Sequence, residues 1–326
     1  MLIFIFSILL LILSFFAKDI IISSVISTTN TFIFVLIPSL FLMIIITTLL
    51  SSNKIMIYLI RKIHPIFKHI FGFESEKETY IFFFSFLSGN PTVATMLSEA
   101  TSDNEISNHE GDRLVKILCL SSPVYLFSQI TAFSTKAKIV IIIANYLPIL
   151  FYLFWSKTKT YSNNTALLVK ECNLFEAINK SFSILLKIFS IILFFTILIN
   201  MVFHYIHLNN IHKYMFANLL ESTIGSQLQT NLNESSRLLM FLFFNSFLGI
   251  SIHMQILSIY KINYVKFISF RVLLGFCVCI YGYLMYINYW FSLLILPILL
   301  IKGLRKFLIL NSKLFSNSRI NKKIYN

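Results

Sequence analysis

The sequence predicts an all-α, polytopic membrane protein of about eight transmembrane helices, built as two inverted repeats with broken, re-entrant helices. Three observations predict it. Hydrophobic residues make up 57% of the 326-residue chain and charged residues only 12%, with a mean hydropathy of +0.80, about half the charge of a soluble domain. Long stretches carry no Asp, Glu, Lys or Arg: 1–17, 20–53, 79–98, 117–135, 139–156, 238–260 and 272–301. Around 20 apolar residues cross roughly 30 Å of hydrocarbon as a helix, and only a helix or a closed barrel satisfies its backbone there. Third, two of these stretches are interrupted alike. Ser85-Phe86-Leu87-Ser88-Gly89-Asn90-Pro91 resembles Ser246-Phe247-Leu248-Gly249-Ile250-Ser251, with Gly89/Gly249 and Leu97-Ser98/Leu257-Ser258 each 160 positions apart. Interrupted apolar segments at matching positions of two halves point to the binding site of a transporter.

Taken in order, helix one occupies 1–17 and helix two 32–50. The N-terminal run lacks a basic start and a small-residue cleavage site, so it reads as an uncleaved helix. A basic amphipathic connector, 54–73, lies along the membrane surface. The first broken segment, 79–98, is followed by an acidic loop with Glu99, Asp103, Glu105, Glu110 and Asp112. Helices at 114–135 and 139–156 close the first half. The polar connector 157–181 leads to a helix at 182–204, a polar stretch at 207–237, and the second broken segment at 238–260. The final uncharged run, 272–301, is too long for one upright span at ~1.5 Å per residue. It is either a strongly tilted helix or a hairpin turning near Tyr286-Ile287-Asn288. The expected domains are therefore an N-terminal helix (1–30), a first repeat (31–160), a connector (161–181), a second repeat (182–286), and a C-terminal helix with a basic tail (287–326).

The formal charge of +14 does not indicate nucleic acid. Only six of the 27 basic residues are Arg, and they gather in short loops, as topology determinants do. Segments 51–78, 157–187 and 302–326 carry five, five and seven basic residues, which places the termini in the cytoplasm. Segments 79–98 and 238–260 then enter the bilayer from opposite sides. Cys119, Cys172, Cys277 and Cys279 form no CxxC pair, so no redox or zinc site is expected. His204, His207 and His212 lack a carboxylate in step, and no Walker, Rossmann or triad pattern appears. No metal, cofactor or catalytic residue is expected, and the chain is read as a non-enzyme.

Backbone grammar locates the expected site. In Ser88-Gly89-Asn90-Pro91, Gly89 relaxes the backbone, Asn90 suits an N-cap and Pro91 suits the first helical position. Ser121-Ser122-Pro123 repeats the pattern, and Gly249-Ile250-Ser251 repeats it without a proline. New helix N-termini inside a membrane offer free N–H groups to an anion. Polar residues in such segments line a cavity: Asn90, Thr92, Thr95, Ser121, Ser122 and Gln129 in the first half, and Asn245, Ser246, Ser251, His253 and Gln255 in the second. The expected substrate-binding set is Ser88, Gly89, Asn90, Pro91, Thr92, Ser121, Ser122, Pro123, Asn245, Gly249, Ser251, His253 and Gln255.

The runs Ser88-Gly89-Asn90-Pro91-Thr92-Val93-Ala94, Glu110-Gly111-Asp112-Arg113-Leu114, Ser121-Ser122-Pro123-Val124-Tyr125 and Phe247-Leu248-Gly249-Ile250-Ser251-Ile252-His253-Met254-Gln255-Ile256-Leu257-Ser258 resemble the motifs of the sporulation integral membrane proteins of the YlbJ type. Those proteins belong to the nucleoside-recognition, or Gate, domain group. The resemblance spans about residues 35–285. Asn90 stands where the family pattern has Tyr, and Val93 and Ile250 where it has Gly. The resemblance implies a multi-pass cell-membrane transporter of a small, anionic, dipicolinate-like or nucleoside-like metabolite, in the outer forespore membrane if the organism sporulates. It implies a small-molecule substrate and the lipid bilayer as partners, and leaves room for a homo-oligomer. The alternative is a structural or assembly protein of a differentiating membrane that transports nothing.

Overall fold

The computed structural model describes residues 4, 8, 15–90, 92–156, 172–228 and 232–290. Expectations for helix 1–17, Pro91, the connector 157–171 and the basic tail thus fall largely or wholly outside the described residues. Among the described residues the chain is helical, with no strand.

Helix α1 (Lys18–Ser51) opens the fold, with a π-helical stretch at Phe32–Phe41 around Pro38. It corrects the expectation of a helix beginning only at residue 32. The Ser/Thr-rich stretch 23–31 stays helical, with the hydroxyls at its start folded back on the backbone. Ser23 and Ser24, for example, donate to the Ile20 carbonyl. The π-helical widening accommodates a proline that has no N–H to give. Helix α2 (Lys54–Phe71) follows. It buries only Ile60 fully and exposes Ile55, Tyr58, Leu59, Ile66 and Ile70.

Then come α3 (Glu76–Ser88), α4 (Thr92–Ser102), α5 (Asn108–Leu118), α6 (Pro123–Gln129) and α7 (Thr135–Trp155). After the connector lie α8 (Leu174–Tyr205), α9 (Asn210–Leu220), α10 (Ser222–Gly225), α11 (Glu234–Phe247), α12 (Gly249–Ile259) and α13 (Tyr264–Ile287). The starts are written in the sequence: Asn53, Ser75, Ser107, Ser122, Ser134, Asn209, Asn233 and Asn263 each accept an N–H of their own first turn, and Asn173 forms a reciprocal capping box with Glu176. Such caps contribute about 1 kcal/mol apiece.

Among the described residues, five segments are long and apolar enough to cross a membrane: Lys18–Ser51, Thr135–Trp155, Leu174–Tyr205, Glu234–Ile259 and Tyr264–Ile287. That is fewer than the eight expected: the first of those, 1–17, falls largely outside the described residues, and two others are broken locally. Segments 79–98 and 114–135 are cut into helices of 13, 11, 11 and 7 residues, each shorter than the hydrocarbon layer. The polar stretch 207–237 is also largely helical. In the last run the helix ends at Ile287, with Asn288 extended, which rules out a single tilted helix over 272–301.

The core joins both halves, from Phe73, Phe84 and Leu97 through Leu114, Val140 and Ala144 to Leu238, Ile256, Phe267 and Val278. Helix α11 lies along α13, and α13 along α7. A second, smaller cluster sets Leu36, Leu40 and Ile44 of α1 and Leu185, Ile188 and Ile192 of α8 against Tyr125 and Ile224.

Candidate functional site

Four helix interruptions converge beneath α1 and α8. In the first, α3 stops at Gly89, whose φ of 65° and ψ of −157° lie in a region essentially confined to glycine. A Cβ at Gly89 would stand 2.7 Å from the Leu120 carbonyl oxygen and 2.8 Å from the Ser122 nitrogen. The second break, between α5 and α6, therefore lies directly on the first. The Asn90 N–H donates to the Leu120 carbonyl across 3.0 Å, and Ser122 caps α6 with Pro123 in its first turn.

The third interruption is at Glu221, where α10 turns back so tightly that Gly225 abuts Asn218. The fourth separates α11 from α12, with Leu248 at φ 80° and Gly249 at φ 67°. A Cβ at Gly249 would lie 3.3 Å from the Asn218 oxygen and the Ser222 nitrogen, so the third and fourth breaks are also paired. Segment 238–260 is thus broken where expected, but α11 and α12 do not fold against each other. In the second half the chain doubles back at Glu221 instead. The partner of the Gly249 break is the 218–222 turn, within the polar stretch 207–237.

The two pairs of breaks face each other. Ser121 Oγ donates to Asn245 Oδ1 (2.9 Å), and Asn245 Nδ2 to Asn145 Oδ1 (2.8 Å). Tyr125 Oη and Thr223 Oγ1 are 2.9 Å apart, and Ser226 hydrogen-bonds to Gln129. Between them lies a cavity of about 50 Å³, space for a few water molecules. Its polar lining is Asn90, Ser121, Ser122, Glu221, Thr223 and Gln255, with Tyr125. Its apolar cover is Leu36 and Leu40 from the π-helical part of α1, and Ile188 and Ile192 from α8.

The expected residues divide clearly. Asn90, Ser121, Ser122 and Gln255 line the cavity. Ser251 is fully buried and donates its hydroxyl to Glu221. Gly89, Pro123 and Gly249 shape the backbone around it. Asn245 sits behind Ser121. Pro91 is outside the described residues. Three expectations are corrected. Ser88 turns away, donating to the Phe84 carbonyl within its own helix. His253 is packed among Phe247, Tyr264 and Phe267, with Nε2 donating to the Phe247 carbonyl at 2.7 Å, so it holds the break rather than facing the cavity. Asn90 was expected to cap the following helix, yet its Oδ1 is buried without a hydrogen-bond partner. Thr92 Oγ1 is likewise buried and unpartnered.

Two residues escaped the sequence reading. Glu221 lies wholly buried in the cavity wall; one carboxylate oxygen accepts the Thr223 N–H at 2.8 Å and the other the Ser251 hydroxyl. Its signal is an acidic cap, Glu221-Ser222-Thr223, standing within the polar stretch 207–237. Arg271, just ahead of the last uncharged run, is fully buried on α13. Its guanidinium donates to the Cys119 carbonyl and, at 3.5 Å, to the Ser246 carbonyl. It thereby neutralises the C-terminal ends of α5 and α11, one from each pair of breaks.

Among the described residues, an all-helical architecture with five apolar helices of spanning length fits a multi-pass membrane protein. Comparison of the chain with protein-family models, curated proteins and solved structures returns no match.

Proposed function

We propose that the chain is a membrane transporter of a small polar metabolite, with its substrate site where the four helix breaks meet. One observation carries the reading: backbone interruptions from both halves converge on one polar cavity under an apolar cover. Irregular backbone at membrane depth persists where it lines a cavity or is buried in protein, and the unpartnered Asn90 Oδ1 is a group that a solute would satisfy.

In this reading the run α3 to α7 and the run α9 to α13 are the two repeats, inverted relative to each other. Each consists of a re-entrant pair, a broken helix and a full span. The equivalence is then Gly89-Asn90 with Glu221, and Ser121-Ser122 with Leu248-Gly249, an offset near 130 positions rather than 160. The resemblance to the YlbJ type supports the class and suggests carboxylates such as dipicolinate, or nucleosides, as the solutes to try. The narrow cavity corresponds to a closed conformation, and a solute of that size enters after α1 and α8 move off the break region.

The test is uptake by proteoliposomes of labelled dipicolinate and labelled uridine. Wild-type protein accumulates one of them, and Asn90→Ala lowers uptake at least about tenfold, the effect of losing about 1.4 kcal/mol of binding, at unchanged abundance. Wild-type vesicles that accumulate neither would favour the structural or assembly role.

A further inference from the structure

The carboxyl of Glu221 is the acidic group that lines the cavity. It is fully buried, and among the described residues no Lys or Arg is ion-paired with it. Its two recorded partners are the Thr223 N–H and the Ser251 hydroxyl. Burying an ionised carboxylate without a cation is costly, and such groups are neutralised by a proton or a bound cation. Capping a four-residue helix does not require a carboxyl, since Ser and Asn cap other helices of this chain. The neighbouring elements also lack charge: α6 presents Tyr125, α12 presents Ser251 while its His253 faces Phe247 and Tyr264, and α10 presents Thr223.

We propose that Glu221 is a proton-carrying site that couples proton movement to the transport cycle. In the closed cavity Glu221 is a neutral acid hydrogen-bonded to Ser251. When the cavity opens to water, the O–H bond breaks and the proton passes to a water molecule. The carboxylate left behind accepts from the Ser251 hydroxyl and the Thr223 N–H. Reprotonation from the other side restores neutrality and lets the site close. A neutral Glu221 also removes the obstacle to a carboxylate solute in a cavity that otherwise contains an acid. The inference rests on reading this cavity as the transport site.

The experiment is infrared difference spectroscopy of the purified protein in liposomes, titrated from about pH 5 to about pH 9. Subtracting Glu221→Gln isolates the Glu221 signal. The expected result is a protonated-carboxyl C=O band that fades as pH rises, is absent from Glu221→Gln, and fades at higher pH in Ser251→Ala, which lacks a donor to the carboxylate. A band unchanged across the titration would mean a permanently neutral structural cap, and no band at any pH would mean a permanent carboxylate; either overturns the proposal. Loss of the band when sodium replaces choline at fixed pH would assign the site to a metal cation and overturn it too. The spectrum needs no substrate, so failure of dipicolinate or uridine uptake bears on the transport reading alone. Glu221→Gln, which keeps a capping oxygen, is expected to remain folded.

Discussion

Replacing Gly89 by Ala tests the junction most directly. The added Cβ meets two backbone atoms, the Leu120 oxygen at 2.7 Å and the Ser122 nitrogen at 2.8 Å, and neither can rotate away. The backbone there, φ 65° and ψ −157°, costs any other residue about 1–3 kcal/mol. Overpacking adds about 1–3 kcal/mol, and separating the two breaks stretches the Asn90–Leu120 hydrogen bond, worth about 1 kcal/mol. The sum is about 3–7 kcal/mol, which lowers the melting temperature of a protein this size by roughly 5–10 °C. Gly249→Ala is the internal control: its φ is similar, but its Cβ would sit at an easier 3.3 Å, so about half that loss is expected. The assay is thermal unfolding of both variants in one detergent, followed by intrinsic fluorescence. Gly89→Ala melting within a degree or two of wild type, or no worse than Gly249→Ala, would refute the reasoning that the two breaks are in backbone contact.

Three further outcomes follow. Arg271→Met leaves the Cys119 and Ser246 carbonyls without their cation and destabilises the protein by about 3 kcal/mol, while Arg271→Lys retains part of the stability; the melting temperatures in detergent rank the three. Glu78, at the first turn of α3, is held up to about 8 from 4.5 by burial first and by neighbouring Glu110 second. Between those two values the folded protein binds the extra proton, so stability falls as pH rises; melting scans from pH 5 to pH 8.5 should decline, and Glu78→Gln should flatten the slope. Asn245→Ala breaks the Ser121–Asn245–Asn145 chain and strands two buried polar groups, a loss of about 2 kcal/mol, whereas the double variant Asn145→Ala/Asn245→Ala should lose less than the two single losses added together.

Most of the architecture was legible in the chain. Uncharged stretches gave the helical spans at 139–156, 238–260 and the start of the last run, and Ser122-Pro123 gave the start of α6. The breaks after Ser88 and at Ser121–Pro123 were legible because Gly89 and the Ser122 cap with Pro123 act locally, through the backbone. What hid was set by tertiary structure. The helix was expected to begin only at residue 32, whereas Ser23 and Ser24 return their hydroxyls to the Ile20 carbonyl and the helix runs from Lys18. The offset of 160 came from matching letters, whereas the pairing of breaks depends on which turn each glycine packs against. Glu221 and Arg271 were missed because charge normally means water; here Ser251 holds one, and the Cys119 and Ser246 carbonyls hold the other, from distant parts of the chain.

The hydrogen-bonded chain from Ser121 through Asn245 to Asn145 also has a meaning during synthesis. Asn145 precedes its partner by 100 residues and Ser121 by 124. While the ribosome makes the intervening chain, the first half must enter the bilayer with these polar groups still lacking their final partner. They stay wet in the insertion channel, or lean on temporary neighbours, until α11 arrives. On this view the first half on its own is an unfinished folding intermediate, held back from lipid by its own polar seam. Truncation after residue 160 should leave it a substrate for quality-control proteolysis rather than a stable half-transporter.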